Sequence, residues 1–382
     1  MLESHPIYLD HNATTPLHPE AYQAMERFHL QAFGNPSNSH WAGRTARAGM
    51  EQGRRQVAAL FGTSPANVLF TAGGSEADNL AIHGVVHARR AQGRHVVSTP
   101  LEHPAVLETL RFLAALEVIE LSLLGVDNQG QLDLAELAAV LRSDTILVAI
   151  MAAHNELGTL YPVTEIARLC KASGAHFHCD GVQAAGKTPL ALSDGWDTLA
   201  VSAHKLYGPK GIGCLVRRPG VELYPLIRGG GQEQGLRAGT ENVPGIVGFG
   251  VAAELAGREL SSESARLTAL RERLFTGIRE LYPQVKRNSP ETACLPNTLH
   301  VSLPGIDAAL LLAEMDRRGV AASAGSACHT GSASTSALVR IGLDADELHG
   351  TLRLSLGRGT HARDLEMSLE IIAESLPLAH ED

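Results

Sequence analysis

Lysine is what this chain has least of among its charged residues: five lysines stand against twenty-seven arginines in 382 residues. Aromatic residues are also sparse, at 4%. No run of about eighteen apolar residues occurs, so no membrane-crossing helix is expected. The opening "MLESHPIYLDHNATTP" lacks the basic stretch and apolar core of a secretory signal, and a cytoplasmic protein is expected. Basic residues are outnumbered, and the net charge of −9 argues against a chain that coats nucleic acid. Paired cysteines are missing too. The five, at 170, 179, 214, 294 and 328, are odd in number and contain no CxxC, so neither a disulfide framework nor a zinc site is expected. His176 and His178 of "AHFHCD" would share one face of a strand. That segment reads as a buried strand ending in a functional Asp, and no metal is assigned to it.

What the chain does have is a 44% hydrophobic content distributed in short runs. "NVLFTA", "HVVSTP", "VIELSL", "TILVAIMAA", "AHFHCD", "TLAVSA" and "GCLVRR" alternate with amphipathic segments, the pattern of a largely parallel sheet covered on both faces. "SEADNLAIHGVVHARRAQG" predicts a helix from Ser75 that stops by Gly93, and "PVTEIARLCKASG" one from near Thr164 to Gly174. The texture changes after about Gly257. A long amphipathic helix, "RELSSESARLTALRERLFTGIREL", and the strand-like "LHVSL" and "TLRLSL" predict a second α+β unit. The expected division is a large α/β domain over 16–257 and a small α+β domain built from 1–15 and 258–382. The small domain carries a loop, 323–337, made almost wholly of Gly, Ala, Ser and Thr, which has nothing large to bury and is expected to be mobile.

Two of the five lysines fall in "VSAHKLYGPKGIG". Arginine would hold charge there more reliably, whereas lysine can lose its proton in a dry site and act as an amine nucleophile. Lys205 follows a strand directly. Lys210 stands between glycines, in a setting that suits a turn better than a pocket wall. Other polar residues gather at predicted strand ends, where ligands sit in such sheets. In "TAGGSEADN", Gly73 and Gly74 permit close backbone approach and Ser75 opens a helix whose free N–H groups attract an anion. A plain tight turn explains the same residues. His103 of "LEHP", Asn155 of "AHNELG", Asp180 and Gln183 of "HCDGVQAAGK", and Ser202 and His204 stand in equivalent places. Singly, these are a loop histidine, a turn residue or a helix cap. Together, an Asp at one strand end, a Lys at another and an anion cradle at a third are the parts that pyridoxal phosphate needs.

From "YLDHNATTP" through "FGNPSNSHWAGR", "GGSEADN", "EHPAV", "NELGTLYPV", "DGVQAAGK", "AHKLYGPKGIG", "GGGQEQGLRAGTEN" and "SAGSACH" to "LRLSLGRGT", the chain resembles the class V aminotransferases, and within them the NifS/IscS-like cysteine desulfurases. The resemblance implies a fold-type I enzyme dependent on pyridoxal 5′-phosphate. It implies that Lys205 carries the cofactor as a Schiff base, that His103 stacks on its ring, that Asp180 meets the ring nitrogen and that Gln183 lies near the phenolic oxygen. Gly74, Ser75, Ser202 and His204 would bind the phosphate. Thr240 would reach the phosphate of the other subunit in a homodimer. Asn155, also a cofactor contact, and Arg358 would grip the substrate carboxylate, and His103 would join Lys205 and Cys328 in catalysis. A bidentate guanidinium just past a strand suits that task, although an interdomain salt bridge would equally occupy Arg358.

The resemblance further implies that L-cysteine becomes L-alanine while its sulfur passes to Cys328 as a persulfide, for delivery to an acceptor protein. Cys170, Cys179 and Cys214 read as buried thiols in a helix and two strands. Cys328, in "SAGSACHTGS", has no apolar packing available, and His329 beside it favours ionisation. The loop has the long form of the mobile-cysteine group, but Ser334, Thr335 and Ser336 stand where that group has Glu-Pro-Ser. A Cys-His loop also resembles that of selenocysteine lyases. A third reading is a sulfur-delivery scaffold for iron-sulfur assembly, tRNA thiolation or DNA phosphorothioation.

Overall fold

A computed structural model describes residues 6–324 and 337–380. After a two-residue strand β1 (Ile7–Tyr8) come helices α1 (Pro19–Leu30) and α2 (Trp41–Leu60). Strand β2 (Val68–Thr71), helix α3 (Gly74–Arg89), β3 (His95–Ser98), α4 (Pro104–Ala115), β4 (Glu120–Leu123), α5 (Leu134–Val140), β5 (Thr145–Ala149), α6 (Val163–Ser173), β6 (His176–Asp180), β7 (Thr198–Ser202) and β8 (Gly213–Arg217) follow. The strands β2 to β8 form one seven-stranded sheet in the order β2-β8-β7-β6-β5-β3-β4. Only β8 runs against its neighbours. All seven apolar runs thus became strands, and the carboxyl ends of β2, β3, β5, β6 and β7 share one edge.

Strand alternation sends successive side chains to opposite faces. Phe70, Val97, Val148, Phe177, Val201 and Cys214 pack into one apolar layer, against α2, α6 and the helix α7 (Val243–Leu281). Leu69, Val96, Leu147, Ala200 and Leu215 pack into the other, against α3 and α4. Each fully buried Leu, Val or Phe contributes about 1.5–3 kcal/mol relative to exposure, so both faces hold the sheet. His176 and His178 lie on one face, as the alternation requires, and both meet Thr198 Oγ1, at 2.9 and 3.0 Å. Helix α6 stops at Gly174, whose φ of 79° is left-handed, close to the expected end.

The change of texture after Gly257 is not a break. Helix α7 runs through it for 39 residues, starting well before the amphipathic stretch that announces it. Its first half, "VPGIVGFGVAAELAG", is small and apolar because it crosses α2 closely. A Cβ on Gly250 would stand 2.5 Å from the Cα of Gly53, a spacing only glycine tolerates.

The second half of α7 belongs to another core. Leu267, Leu274 and Ile278 pack with Leu299 and Val301 of β10 (Thr298–Ser302) and Leu352 and Leu354 of β12 (Thr351–Ser355). With β9 (Lys286–Arg287), these strands form an antiparallel sheet in the order β12-β10-β9. Helices α8 (Ala308–Arg317), α9 (Ala337–Arg340), α10 (Ala345–His349) and α11 (Ala362–Ser375) complete this part of the chain. The amino-terminal segment joins it. Strand β1 pairs in parallel with β11 (Val320–Ala321), and Ile7 and Leu9 enter the same apolar cluster. No helix among the described residues is long and apolar enough to cross a membrane.

Candidate active site

A cavity of about 340 Å³ opens where the carboxyl ends of the parallel strands face the second core. Gly74, Ser75, His103, Asn155, Asp180, Gln183, Ser202, His204 and Lys205 all line it, so nine expected residues from five separate stretches of sequence converge. Helix α3 begins at the cavity wall, and its cap residue Gly73 offers no side-chain bond, which leaves first-turn N–H groups free for an anion. Gly74 is required by space, since a Cβ there would lie 2.7 Å from Val182 Cγ2. His103 caps α4, its Nδ1 accepting the N–H of Ala105 at 3.1 Å. Burial lowers its pKa, with Asp180 opposing and Lys205 adding.

Lys205 follows β7 in a short turn of 3₁₀ helix. Its Nζ donates to the carbonyls of Asn12 and Ala13, at 2.5 and 2.8 Å. Burial and then Arg353 lower its pKa to about 8, against the pull of Asp10 and Asp180. Asp180 ends β6 and accepts the N–H of Val182 at 2.9 Å. Burial and the nearby Asp78 raise its pKa to about 7. His204 bonds Thr14 Oγ1 at 3.0 Å, and burial followed by three lysines pushes its pKa down to about 4, so it is a neutral ring. Lys210 is exposed in its turn, next to Gly211 at φ 77°, and does not line the cavity.

Two expected residues are elsewhere. Arg358 does not line the cavity. It pairs with Glu259, stacks 5.2 Å from the ring centre of Tyr207, and its backbone N–H donates to Tyr207 Oη at 2.7 Å. Its place past the end of β12 turns it away from the sheet edge, and the salt-bridge alternative is the one realised. The guanidinium in the cavity is that of Arg353, from the middle of β12. It donates to Asp10 Oδ1 at 2.8 Å and to the Asn155 carbonyl at 3.4 Å. Thr240 is exposed, outside the cavity of its own chain, near Thr71, Gly211 and Arg237. The segment before it is held by Glu233, which accepts both Arg54 Nη atoms at 2.7 and 2.6 Å. Cys328 and His329 lie outside the described residues, as does most of the loop assigned to 323–337.

Asn12, Asp78 and Arg353 had not been singled out. Asp78 is buried, with Oδ1 3.1 Å from His178 Nε2, and it stands one helical turn after Ser75, on the same face of α3. Arg353 could have been found by alternation, because Leu352 and Leu354 occupy the apolar face of β12 and leave Arg353 the other.

The donor set fits pyridoxal phosphate. Asp180 is a buried carboxyl with one recorded backbone partner and a raised pKa, and a protonated ring nitrogen would supply its missing counter-charge. Ser75, Ser202 and the open first turn of α3 suit a phosphate, and Lys205 is an amine that deprotonates near neutrality.

The comparisons with known proteins agree. The aminotransferase class-V profile matches residues 7–367. The cysteine desulfurase IscS of Dictyoglomus turgidum is 41% identical over 368 residues, 96% of this chain and 93% of that protein. A NifS-like protein superposes with a TM-score of 0.92 at 36% identity, covering 98% of this chain and all of that one. SspA, solved in complex with cysteine, superposes at 0.80 with 34% identity, covering 92% of this chain and 98% of that one. With this architecture and this cavity, the chain belongs to the class-V aminotransferase family, in its cysteine desulfurase branch, whose cofactor is pyridoxal 5′-phosphate.

Proposed function

We propose that this chain takes L-cysteine, releases L-alanine and keeps the sulfur as a persulfide on Cys328 for an acceptor protein. The observation that carries the reading is the meeting of Asp180, Lys205 and the open end of α3 in one cavity. Lys205 would hold the cofactor covalently, with Asp180 at its ring nitrogen, His103 at its ring face and Gln183 at its phenolic oxygen. Gly74, Ser75, Ser202 and His204 hold its phosphate. When bound, the cofactor supplies an electron sink for the substrate Cα. Arg353 and the Asn155 side chain would hold the substrate carboxylate, and the Lys205 amine would move the proton at Cα. The Cys328 thiolate attacks the substrate sulfur. One S–S bond forms, the C–S bond breaks, and the carbon keeps its electron pair and is protonated to a methyl group, so no external oxidant is needed. Incubation of the purified protein with L-cysteine tests this, since alanine and sulfide must appear in equal amounts when a thiol reductant is the acceptor.

We assign residues 16–257 to the cofactor-binding domain and residues 1–15 with 258–382 to the small domain carrying the sulfur loop. A cytoplasmic homodimer is proposed, with Thr240 serving the partner's phosphate and iron-sulfur assembly as the pathway.

Two measurements follow from the geometry. Arg353→Lys will raise the KM for cysteine about ten- to a hundredfold, the worth of one charged bidentate contact. Arg358→Lys will leave it within about threefold, and the opposite ranking would return the carboxylate to Arg358. The pH dependence of cofactor capture by the stripped protein reports Lys205. Burial and Arg353 disfavour the ammonium, so its amine is free above about 8. Capture will accelerate about tenfold per pH unit below that value and level off above it. A rate that does not change with pH would show that Lys205 deprotonation does not control capture.

A further inference from the structure

Lys187 is a buried amine to which the proposed chemistry gives no task. It stands four residues after Gln183 and lines a small neighbouring cavity of about 30 Å³ rather than the main one. Among the described residues its Nζ meets two amide oxygens and no carboxylate: Gln183 Oε1 at 2.7 Å and Asn12 Oδ1 at 3.3 Å. The acids on that side are taken, Glu259 by Arg258 and Arg358 and Glu263 by Arg266. The charged or titratable groups that interact with it are Lys205, Arg353, His11 and His204, and burial followed by the first two holds its pKa well below the ordinary lysine value. As amine or ammonium, Nζ has N–H bonds enough for both acceptors.

Those two bonds decide which way two amides point. With Oε1 of Gln183 bound to Lys187, Nε2 must turn the other way, where it donates to the Asn12 carbonyl at 3.0 Å. Its second N–H is left for the cavity that Gln183 lines. Asn12 is fixed likewise. Its Oδ1 accepts from Lys187 and from Asn297 Nδ2 at 3.0 Å, and its Nδ2 donates to the Asn155 carbonyl and Thr298 Oγ1, at 3.1 and 2.8 Å. The same Asn12 carbonyl holds Lys205 Nζ.

We infer that Lys187 is a positioning residue that locks the Gln183 amide, so that the cavity presents an N–H donor beside Lys205 and not a carbonyl. The inference rests on the reading of the cavity as a pyridoxal phosphate site, where that donor would meet the phenolic oxygen of the ring. A donor there favours the anionic oxygen and disfavours protonation of the neighbouring imine nitrogen.

The test is the visible absorbance of the holoprotein titrated with acid and base. K187M removes both N–H bonds while keeping the length of the side chain, and its chromophore midpoint will rise by about half to one pH unit, the worth of one lost hydrogen bond. Q183L will shift the midpoint in the same direction, and the double variant will move it no further than Q183L alone. K187Q keeps one donor group and will give a smaller rise. It also serves as the test variant if K187M yields no folded protein. An unmoved midpoint in a folded Lys187 variant, or additive shifts in the double variant, would overturn the inference. A wild type that takes up no pyridoxal phosphate would instead overturn the proposed function.

Discussion

Lys205→Ala protein will be colourless, or will lose its cofactor on dialysis, and its cysteine desulfurase rate will fall by about a thousandfold or more. The loss is large because the proposed mechanism gives one nitrogen two tasks, covalent anchor of the cofactor and base at the substrate Cα. That nitrogen is held by the Asn12 and Ala13 carbonyls with its pKa near 8. Lys210 cannot substitute, being exposed in a turn outside the cavity. Borohydride reduction followed by peptide mapping locates the anchor in wild type. A reducible adduct that persists in the Lys205 variant would move it to another lysine.

Cys328→Ser protein will keep its colour and bind cysteine, yet release no sulfide above background, a fall of about a thousandfold or more if the thiolate is the attacking nucleophile. The other four thiols offer no route round the loss. Cys170, Cys179 and Cys214 are buried, Cys294 nearly so, and burial raises the pKa of every one, that of Cys170 to about 12. Thiolate is the reactive form, so these groups are inert near neutrality. Mass spectrometry of wild type after cysteine treatment will place one extra sulfur on the peptide containing Cys328. Finding it on one of the other four would sink the assignment. Selenocysteine supplied to a Cys328→Ala variant separates the lyase reading, because expulsion of selenium does not require the thiol.

The sheet was legible because each of its strands is a short apolar run bounded by polar or glycine-rich turns, a signal that survives without tertiary information. The two-residue strands β1, β9 and β11 carry no such signal. Their extended form comes from pairing, β1 with β11 across more than 300 residues and β9 with the nearby β10. Helix α7 was seen only in its amphipathic half, since a helix buried on most sides has no polar stripe to give the period. In the cavity, residues at strand ends were found because chain position reports the sheet edge directly. Arg353 was missed and Arg358 chosen in its place, because alternation sets Arg353 apart from Leu352 and Leu354 but does not say that its face looks at the cavity. Lys187 and Asn12 act through amide orientation, which no spacing encodes. Thr240 is a claim about a second chain.

Strand β1 pairs with β11, Asp10 bridges to Ser355, and the Asn12 carbonyl holds Lys205. The segment from Ile7 to Asn12 is therefore fixed in part by strands more than 300 residues further along the chain. A chain ending between Arg217 and Val320 contains every strand of the seven-stranded sheet but lacks the partners of β1 and Asp10. Such closure between distant segments is slow and exposes unfinished edges to misassembly. Residues 320 to 355 must thus be in place before the cofactor site exists in its final form. A ribosome-bound chain truncated after β8 should hold pyridoxal phosphate only weakly, whereas the released full chain retains it.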